Sequence, residues 1–271
     1  MNLDDVGNLL DKCFVLLIEK RPGRTIVDTP ELCQVIDPGM PNTASNAVYR
    51  TNFDDHNAEE RISEAMGKFR CLGLPFRWTV NSLSRPKDLA ARLAARKPDS
   101  ILESTGFAAP CELVPCLPAP HVTVEDLSAG NLQDYILAAT ESFAEIGQAP
   151  IDALKDLAKD ALARPNPDSL SFLARYKGQP AGIGRLKILR DGSQVAGYIG
   201  GGGVRPCFRH RGVVRMVSHF AQELKKRGIP LLLAHANEKT SAPIMRRLGF
   251  REYGKEWIFV FSKLGDTDGP H

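Results

Sequence analysis

The stretch "GYIGGGGVRPCFRHRGVV", residues 197–214, sets four consecutive glycines, Gly200 to Gly203, directly before Arg205, Arg209, His210 and Arg211. Glycine loses more backbone freedom on folding than any other residue, so a glycine run weakens the element that holds it. Such a run is kept where something must approach the main chain closely, and arginines following at once point to an anionic visitor. Outward from it, "QVAGYIGGGGV" reads as a strand running into a loop, and "VVRMVSHFAQELKKRG" as an amphipathic helix. Val213, Val217, Phe220, Ala221 and Leu224 share the apolar face of that helix. Gly228 ends it, with Lys225, Lys226 and Arg227 complementing the dipole of its last turn. The spacing predicts a helix start at about Gly212, with Arg209-His210-Arg211 immediately ahead. A helix start offers unpaired N–H groups and a partial positive charge, and small residues there let a phosphate reach the amides.

Three anion-binding arrangements can be tested against these residues. A Walker loop needs Lys-Ser or Lys-Thr after its last glycine, where Val213 stands. A dinucleotide fingerprint needs a third glycine where Pro206 stands, and an acid some twenty residues on, where Lys225 and Lys226 stand. A strand, a loop and then a helix N-terminus flanked by arginines fits.

"VRPCFRHRGVV" resembles the acetyl-coenzyme A signature of the GNAT acetyltransferase superfamily: a strand, Pro, an aromatic, then Arg-x-x-Gly-x-Gly/Ala. Downstream, "NEKTSAPIMRRLGF" (237–250) is similar to that family's second motif, with an Asn, a short helix and a closing Leu-Gly-Phe. Order and separation agree, with a helix at 212–227, a strand at 231–236 and a helix at 241–248. The resemblance runs from about 121 to 264 and implies an α/β (α+β) fold with a mixed sheet. It implies that Arg209, His210, Arg211, Gly212, Val213, Val214 and Arg215 hold the diphosphate of acetyl-CoA. Gly202, Gly203 and Val204 would lie along the pantetheine arm, where their strand splays from the next, and Asn237, Ser241 and Met245 would line the same groove. Two positions depart from the pattern. Val214 stands where the second Gly/Ala is usual. Met245 stands where the family often has the Tyr that protonates the departing thiolate. A thiol pKa is about 8.5, so the thiolate leaves tolerably well without an acid.

The harder requirement is a neutral nucleophile. An alkylammonium with a pKa near 10.4 is only about one part in a thousand neutral near pH 7.4, a deficit of roughly 4 kcal/mol. A base or a desolvating pocket must supply this. His235, on the strand after the coenzyme helix, and Glu141, in "ATESFAEIG", are the candidates, with Glu145 and Glu238 as further carboxylates. The carbonyl oxygen also needs an N–H donor, for which the amide near Val204 is the candidate. The function so implied is direct transfer of an acetyl group to a small-molecule amine; a non-catalytic acyl-CoA sensor is the alternative, motivated by Met245 and Val214.

Elsewhere the chain reads as helices at 3–19, 59–72, 129–146 and 150–163. A further helix enters through Pro86 with Ser84 as its cap. Strands are expected at 74–80 and 121–127, and as a pair joined at Lys177-Gly178-Gln179. The 271 residues suggest two domains: an accessory half at 1–107, a proline-rich linker at 108–120, the acetyltransferase domain at 121–264, and a disordered tail at 265–271. "MGKFRCLGLPFRWTV" and "FAQELKKRGIPLLLA" each run helix, Gly, Pro, strand, then a helix and Gly-Phe, an echo that suggests duplication. The first half has acidic "YRTNFDDHNAEERI" in place of Arg-x-x-Gly. By resemblance to tandem GNAT and glycine-N-acyltransferase-like proteins it is a degenerate copy that walls the acceptor site, with Arg50, Arg77 and Trp78 as possible contacts. Net charge is +3, too small to imply a nucleic-acid partner. No apolar run spans a membrane and the N-terminus is acidic, so a cytoplasmic protein is expected. The six cysteines lack zinc spacing, so no metal site is expected.

Overall fold

The computed structural model describes residues 3–116, 118–144 and 148–262. Glu145 and the expected tail at 265–271 lie outside the described residues. The chain forms two compact units, one from the described residues of Met1–Leu17 and Thr105–Tyr253, the other from those of Ile18–Ser104 and Gly254–His271. The division therefore falls at several points along the sequence, not at one.

In the first unit, β6 (Val122–Asp126), β7 (Ser169–Tyr176), β8 (Gln179–Asp191) and β9 (Gln194–Val204) form an antiparallel meander. The β7–β8 turn is made at Lys177 and Gly178, both with positive φ, as expected. Helix α6 (Arg215–Lys226) then returns the chain to β10 (Leu231–Asn237), parallel to β9. The strand order in this unit is β5-β10-β9-β8-β7-β6, β5 being Ser100–Pro110. One sheet face is covered by α6, whose Val217, Phe220, Ala221 and Leu224 are buried with Leu186, Ile188 and Leu232. The packing is close enough to require glycine beneath the helix. A Cβ on Gly197 would stand 2.3 Å from Leu224 Cδ1, and one on Gly184 would stand 2.5 Å from Phe220 Cζ. On the other face, α1 (Leu3–Leu16) buries Val6, Leu9, Leu10 and Cys13 against Leu189, Tyr198 and Leu233. Beside it α4 (Leu132–Ser142) buries Tyr135, Ala138 and Ala139 against Leu173 and Ile183, with α5 (Gln148–Ala163) packed outside.

Residues 108–120 do not behave as a linker. Ala108 and Ala109 end β5, Cys111, Val114 and Ala119 are buried, and the Cys111 N–H donates to the Pro230 carbonyl at 2.7 Å. Proline here shapes a packed loop. The helix expected at 129–146 starts with a single 3-10 turn at Ala129–Asn131, and α4 ends at Ser142.

The second unit has β1 (Thr25–Asp28), β2 (Leu32–Ile36) and β3 (Ala47–Thr51) as an antiparallel meander. Then come α2 (Ala58–Cys71), β4 (Phe76–Val80) parallel to β3, and α3 (Leu89–Ala95). Strand β11 (Arg251–Phe261) pairs antiparallel with β4. Phe69, Phe76 and Phe261 stack at 4.4 and 4.9 Å in the core. Ser84 does not cap α3: its Oγ accepts the Asn81 N–H at 3.0 Å, and Asp88 precedes the helix.

The two halves of the sequence share the order strand, helix, parallel strand, helix, strand. Gly73 and Gly228, at φ +63° and +68°, end α2 and α6, and Pro75 and Pro230 lead into β4 and β10. The closing Gly-Phe pairs are not equivalent. Gly249 (φ +77°) ends α7 (Ala242–Arg247) ahead of β11, whereas Gly106-Phe107 lies within β5, which begins six residues earlier.

Candidate coenzyme and acyl-transfer site

Strand β9 (Gln194–Val204) is bound on both sides only at residues 197–199. Gly197, Tyr198 and Ile199 pair with Leu232, Leu233 and Ala234, and there the β9–β10 ladder ends. Pairing with β8 continues to Val204 through a bulge, in which Gly200 and Gly201 together face Arg185. The bulge bends β9 away from β10 and opens a wedge between parallel strands. Gly201 sits at φ +120°, a conformation that only glycine adopts without strain. The Arg205 N–H donates to the Ala181 carbonyl at 2.9 Å. Because successive residues of a strand alternate in bonding direction, Gly203 also turns to β8, and the main-chain groups of Gly202 and Val204 point into the wedge.

The four glycines thus answer to different demands. Gly201 makes the bulge. Gly203 is forced by packing, because a Cβ there would lie 2.6 Å from Ser142 Cβ and 2.7 Å from the Phe143 ring. Gly202 is exposed, with only the Ile183 carbonyl at 3.5 Å from the position of a Cβ. Gly203→Ala should accordingly cost about 1–3 kcal/mol by overpacking the end of α4, whereas Gly202→Ala should leave the melting temperature nearly unchanged. Equal melting temperatures for the two variants would contradict this packing.

Beyond β9, a 3-10 turn at Pro206–Phe208 leads through His210 (φ +63°) and Gly212 (φ +83°) into α6. The helix begins at Arg215, three residues later than expected. The backbone N–H groups of His210, Gly212, Val213 and Val214 have no acceptor among the described residues. Positive φ at positions 210 and 212 bends the loop into a concavity of the kind that can receive an anion. Arg209, His210 and Arg211 are exposed around it, while Val213 is buried against the core. Arg215 has a different task from the expected phosphate contact. Its Nη1 donates to the Ala119 and Val122 carbonyls at 3.0 and 3.1 Å, and the Ser218 hydroxyl donates to the Pro115 carbonyl at 2.6 Å. Together they fix the start of α6 to residues 115–122.

At the far side of the wedge, the Asn237 N–H donates to Ser241 Oγ at 2.9 Å, and Asn237 Oδ1 accepts the Lys239 N–H at 2.9 Å. These two residues hold the turn between β10 and α7. Met245 is buried in the α6 core, an apolar side chain with no proton to give.

The two expected bases are engaged elsewhere. Both Glu141 oxygens accept from Arg205, at 2.8 Å from Nε and 3.0 Å from Nη2. A third Arg205 bond, to the Pro180 carbonyl at 2.6 Å, completes that fork. His235 points to the α1 face. Its Nδ1 lies 3.3 Å from the Tyr198 hydroxyl and 3.6 Å from Cys13 Sγ, and its ring stacks on Phe14 at 5.4 Å. Burial pushes its pKa down to about 4, so at neutral pH it is an uncharged imidazole and a weak base. Between pH 6.5 and 4 the unfolded chain takes up a proton at this position that the folded chain refuses. Its contribution is therefore complete above 6.5 and lost as pH falls toward 4. Melting temperature should fall more steeply over that window in the native protein than in His235→Gln; parallel curves would contradict the burial of a neutral ring. Glu238 accepts from Arg246 at 3.0 and 3.1 Å and from the Thr105 hydroxyl.

Two residues beside the wedge have no motif to announce them. Ser142 Oγ is buried against Gly203 and makes no hydrogen bond among the described residues. Arg185 faces the bulge. Helix packing places Ser142, and the pairing register places Arg185.

The second unit lacks an equivalent opening. Asn52, just past β3, bridges Arg85 in parallel. The Arg85 N–H donates to the Thr51 carbonyl at 2.9 Å, and the Phe53 N–H to the Arg85 carbonyl at 3.3 Å. In this unit the chain itself lies along the continuation of β3. The loop before α2 is filled as well: Asp54 Oδ1 accepts the His56 N–H and its carbonyl the Asn57 N–H. Arg50 pairs with Asp28, the Arg77 guanidinium lies over Tyr49, and Trp78 is fully buried.

Residues 136–250 match the family model for the acetyltransferase (GNAT) family. A GCN5-related N-acetyltransferase from Kribbella flavida has a similar fold, at 16% identity, 95% coverage of this chain, 96% of the other and a TM-score of 0.68. So does a conserved protein of unknown function from Staphylococcus epidermidis, at 15% identity, 92% and 99% coverage and a TM-score of 0.71. A tandem GNAT protein from the clavulanic acid biosynthesis pathway aligns over 96% of this chain and 89% of its own, with 14% identity and a TM-score of 0.52. No curated protein matches the sequence. The family match lies in the C-terminal half of the chain, and these solved structures share its fold.

Proposed function

We propose that the protein is an N-acetyltransferase that takes its acetyl group from acetyl-CoA and passes it directly to a small-molecule amine. The observation that carries this is the continuity of the vacant β9 edge with the concavity before α6, where four amides lack acceptors. A diphosphate fits the amides of His210 and Gly212 to Val214, with Arg209 and Arg211 adding forked donors. Gly202 and Val204 offer strand-like hydrogen bonds to an extended amide-bearing arm, and Met245 an apolar wall. Acetyl-CoA would supply the acetyl group as a thioester.

The chain's own contribution to the chemistry is positioning and desolvation. The Val204 N–H stands where an oxygen gaining negative charge can be met by a fixed donor. The attacking amine must arrive neutral, and with Glu141 held by Arg205 and His235 turned to α1, its proton is lost to water before attack. Once bonded to the carbonyl carbon, the nitrogen gives its second proton to water as the carbon–sulfur bond breaks, and the departing thiolate, with Met245 at the family's acid position, takes a proton from water. Val214 narrows the concavity by one side chain. We infer that the N-terminal half is a degenerate copy of the same fold, its edge and loop closed by Arg85 and Asp54, which leaves one coenzyme site per chain.

The buried Met245 also favours a second reading, an acyl-CoA sensor that binds without turnover. Thiol release from acetyl-CoA, followed with a panel of primary amines, separates the two. Amine-dependent release that disappears in Arg211→Glu is the expected result. Tight binding with no release from any amine would leave only the sensor.

A further inference from the structure

We propose that the acceptor amine carries a carboxylate and that Arg185 receives it; this rests on the transfer reading and specifies its substrate class. Arg185 sits on β8 at the register position of Ser171 on β7 and of the Gly200–Gly201 bulge on β9. Adjacent strands lie about 4.8 Å apart, so Arg185 is one strand spacing from the point where the wedge opens. Its side chain takes the sheet face of Ile183 and Leu189, the face covered by α4 and α1 and opposite α6.

The residue is only 8% exposed. Arginines so buried are ordinarily paired with a carboxylate or a set of carbonyls. Arg205 and Arg215 in this same unit follow that rule. Arg185 makes no hydrogen bond or ion pair with any described residue, and its nitrogens are not sealed from solvent. A buried stem with an open, unsatisfied fork is the arrangement a binding site needs before its ligand arrives.

Lys187, two residues along the same face, passes over Gly200, its Cγ 3.5 Å from where a Cβ would stand. The nearby acid, Glu141, is neutralised by Arg205. Tyr135, which feels the Arg185 charge, supplies no counter-charge, because burial raises its pKa. A planar two-oxygen group matches the guanidinium fork and accepts two parallel bonds. An amine held through its carboxylate at Arg185 would have its nitrogen on the bulge side, toward the wedge.

The test uses the full-length protein saturated with coenzyme A. Calorimetry compares N-acetyl-amino acids of acidic, basic and apolar side chain with their matching carboxamides. At least one acid should bind more tightly than its amide by roughly 10-fold to 100-fold, the range for a hydrogen bond to a charged group. Arg185→Gln should erase that preference while coenzyme A still binds, and Arg185→Lys should keep part of it. An acid and amide of equal affinity throughout would overturn the proposal in the native protein, whatever happens to the variants. A preference that survives Arg185→Gln would also overturn it, as would equal loss of acid and amide. Thiol release bears separately on the premise: preference for acids without release removes transfer alone, and release with neutral amines only removes the carboxylate.

Discussion

Gly212→Asp should weaken acetyl-CoA binding by roughly 100-fold, about 2.7 kcal/mol, in a protein that remains folded. Gly212 sits at φ +83° in the loop whose amides lack acceptors. Aspartate tolerates that conformation better than most residues, so the backbone need not rearrange. Its Cβ would approach Ala119 Cβ to 3.2 Å, a contact relieved by a shift of a few tenths of an ångström. What changes most is charge, since a carboxylate would stand among N–H groups offered to a diphosphate. It would satisfy them itself, as Asp54 does in the other unit, and repel the ligand. Gly212→Asn carries the same shape without the charge and should lose far less affinity. If calorimetry gives Asn and Asp the same small loss, the diphosphate does not bind at this loop.

Phe220→Ala should have the largest effect on stability, about 3–5 kcal/mol. The ring is 1% exposed and fills the space over Gly184, where a Cβ would lie 2.5 Å from its Cζ. It also meets Phe172 at 5.4 Å. Truncation leaves a cavity under the middle of α6, the helix whose start borders the proposed anion site, and the glycine beneath cannot fill it. Denaturant titration should show the midpoint shifted at constant slope, with coenzyme affinity falling in parallel. A loss below about 1 kcal/mol would mean that α6 is not seated on β8 as described.

The sequence carried the local signals well. The helical period of Val217, Phe220, Ala221 and Leu224, the stop at Gly228 and the turn at Lys177-Gly178 are written in residues close together in the chain. The strand–loop–helix order of residues 194–226 was legible for the same reason. Pairing was not. Nothing local shows that Glu141 faces Arg205, 64 positions later, or that His235 turns toward Cys13 and Phe14 of the first helix. A strand fixes only that neighbours alternate between faces; which face meets which helix is decided by tertiary packing. The glycine run shows the same limit. Its presence announced an unusual strand, but only the register distinguishes Gly201, needed for the bulge, from Gly203, needed by α4. Residues 108–120 misled because proline marks irregular backbone, and irregular backbone can be as well packed as a helix. Arg185 carries no motif at all, and only its burial without a partner singles it out.

A crystal structure of the protein with acetyl-CoA tests the central claim most directly. The account predicts diphosphate oxygens within hydrogen-bonding distance of the His210, Gly212, Val213 and Val214 amides, and the pantetheine chain beside Gly202 and Val204, between the diverging ends of β9 and β10. Density for the coenzyme in any other groove, with those four amides facing only solvent, would contradict it.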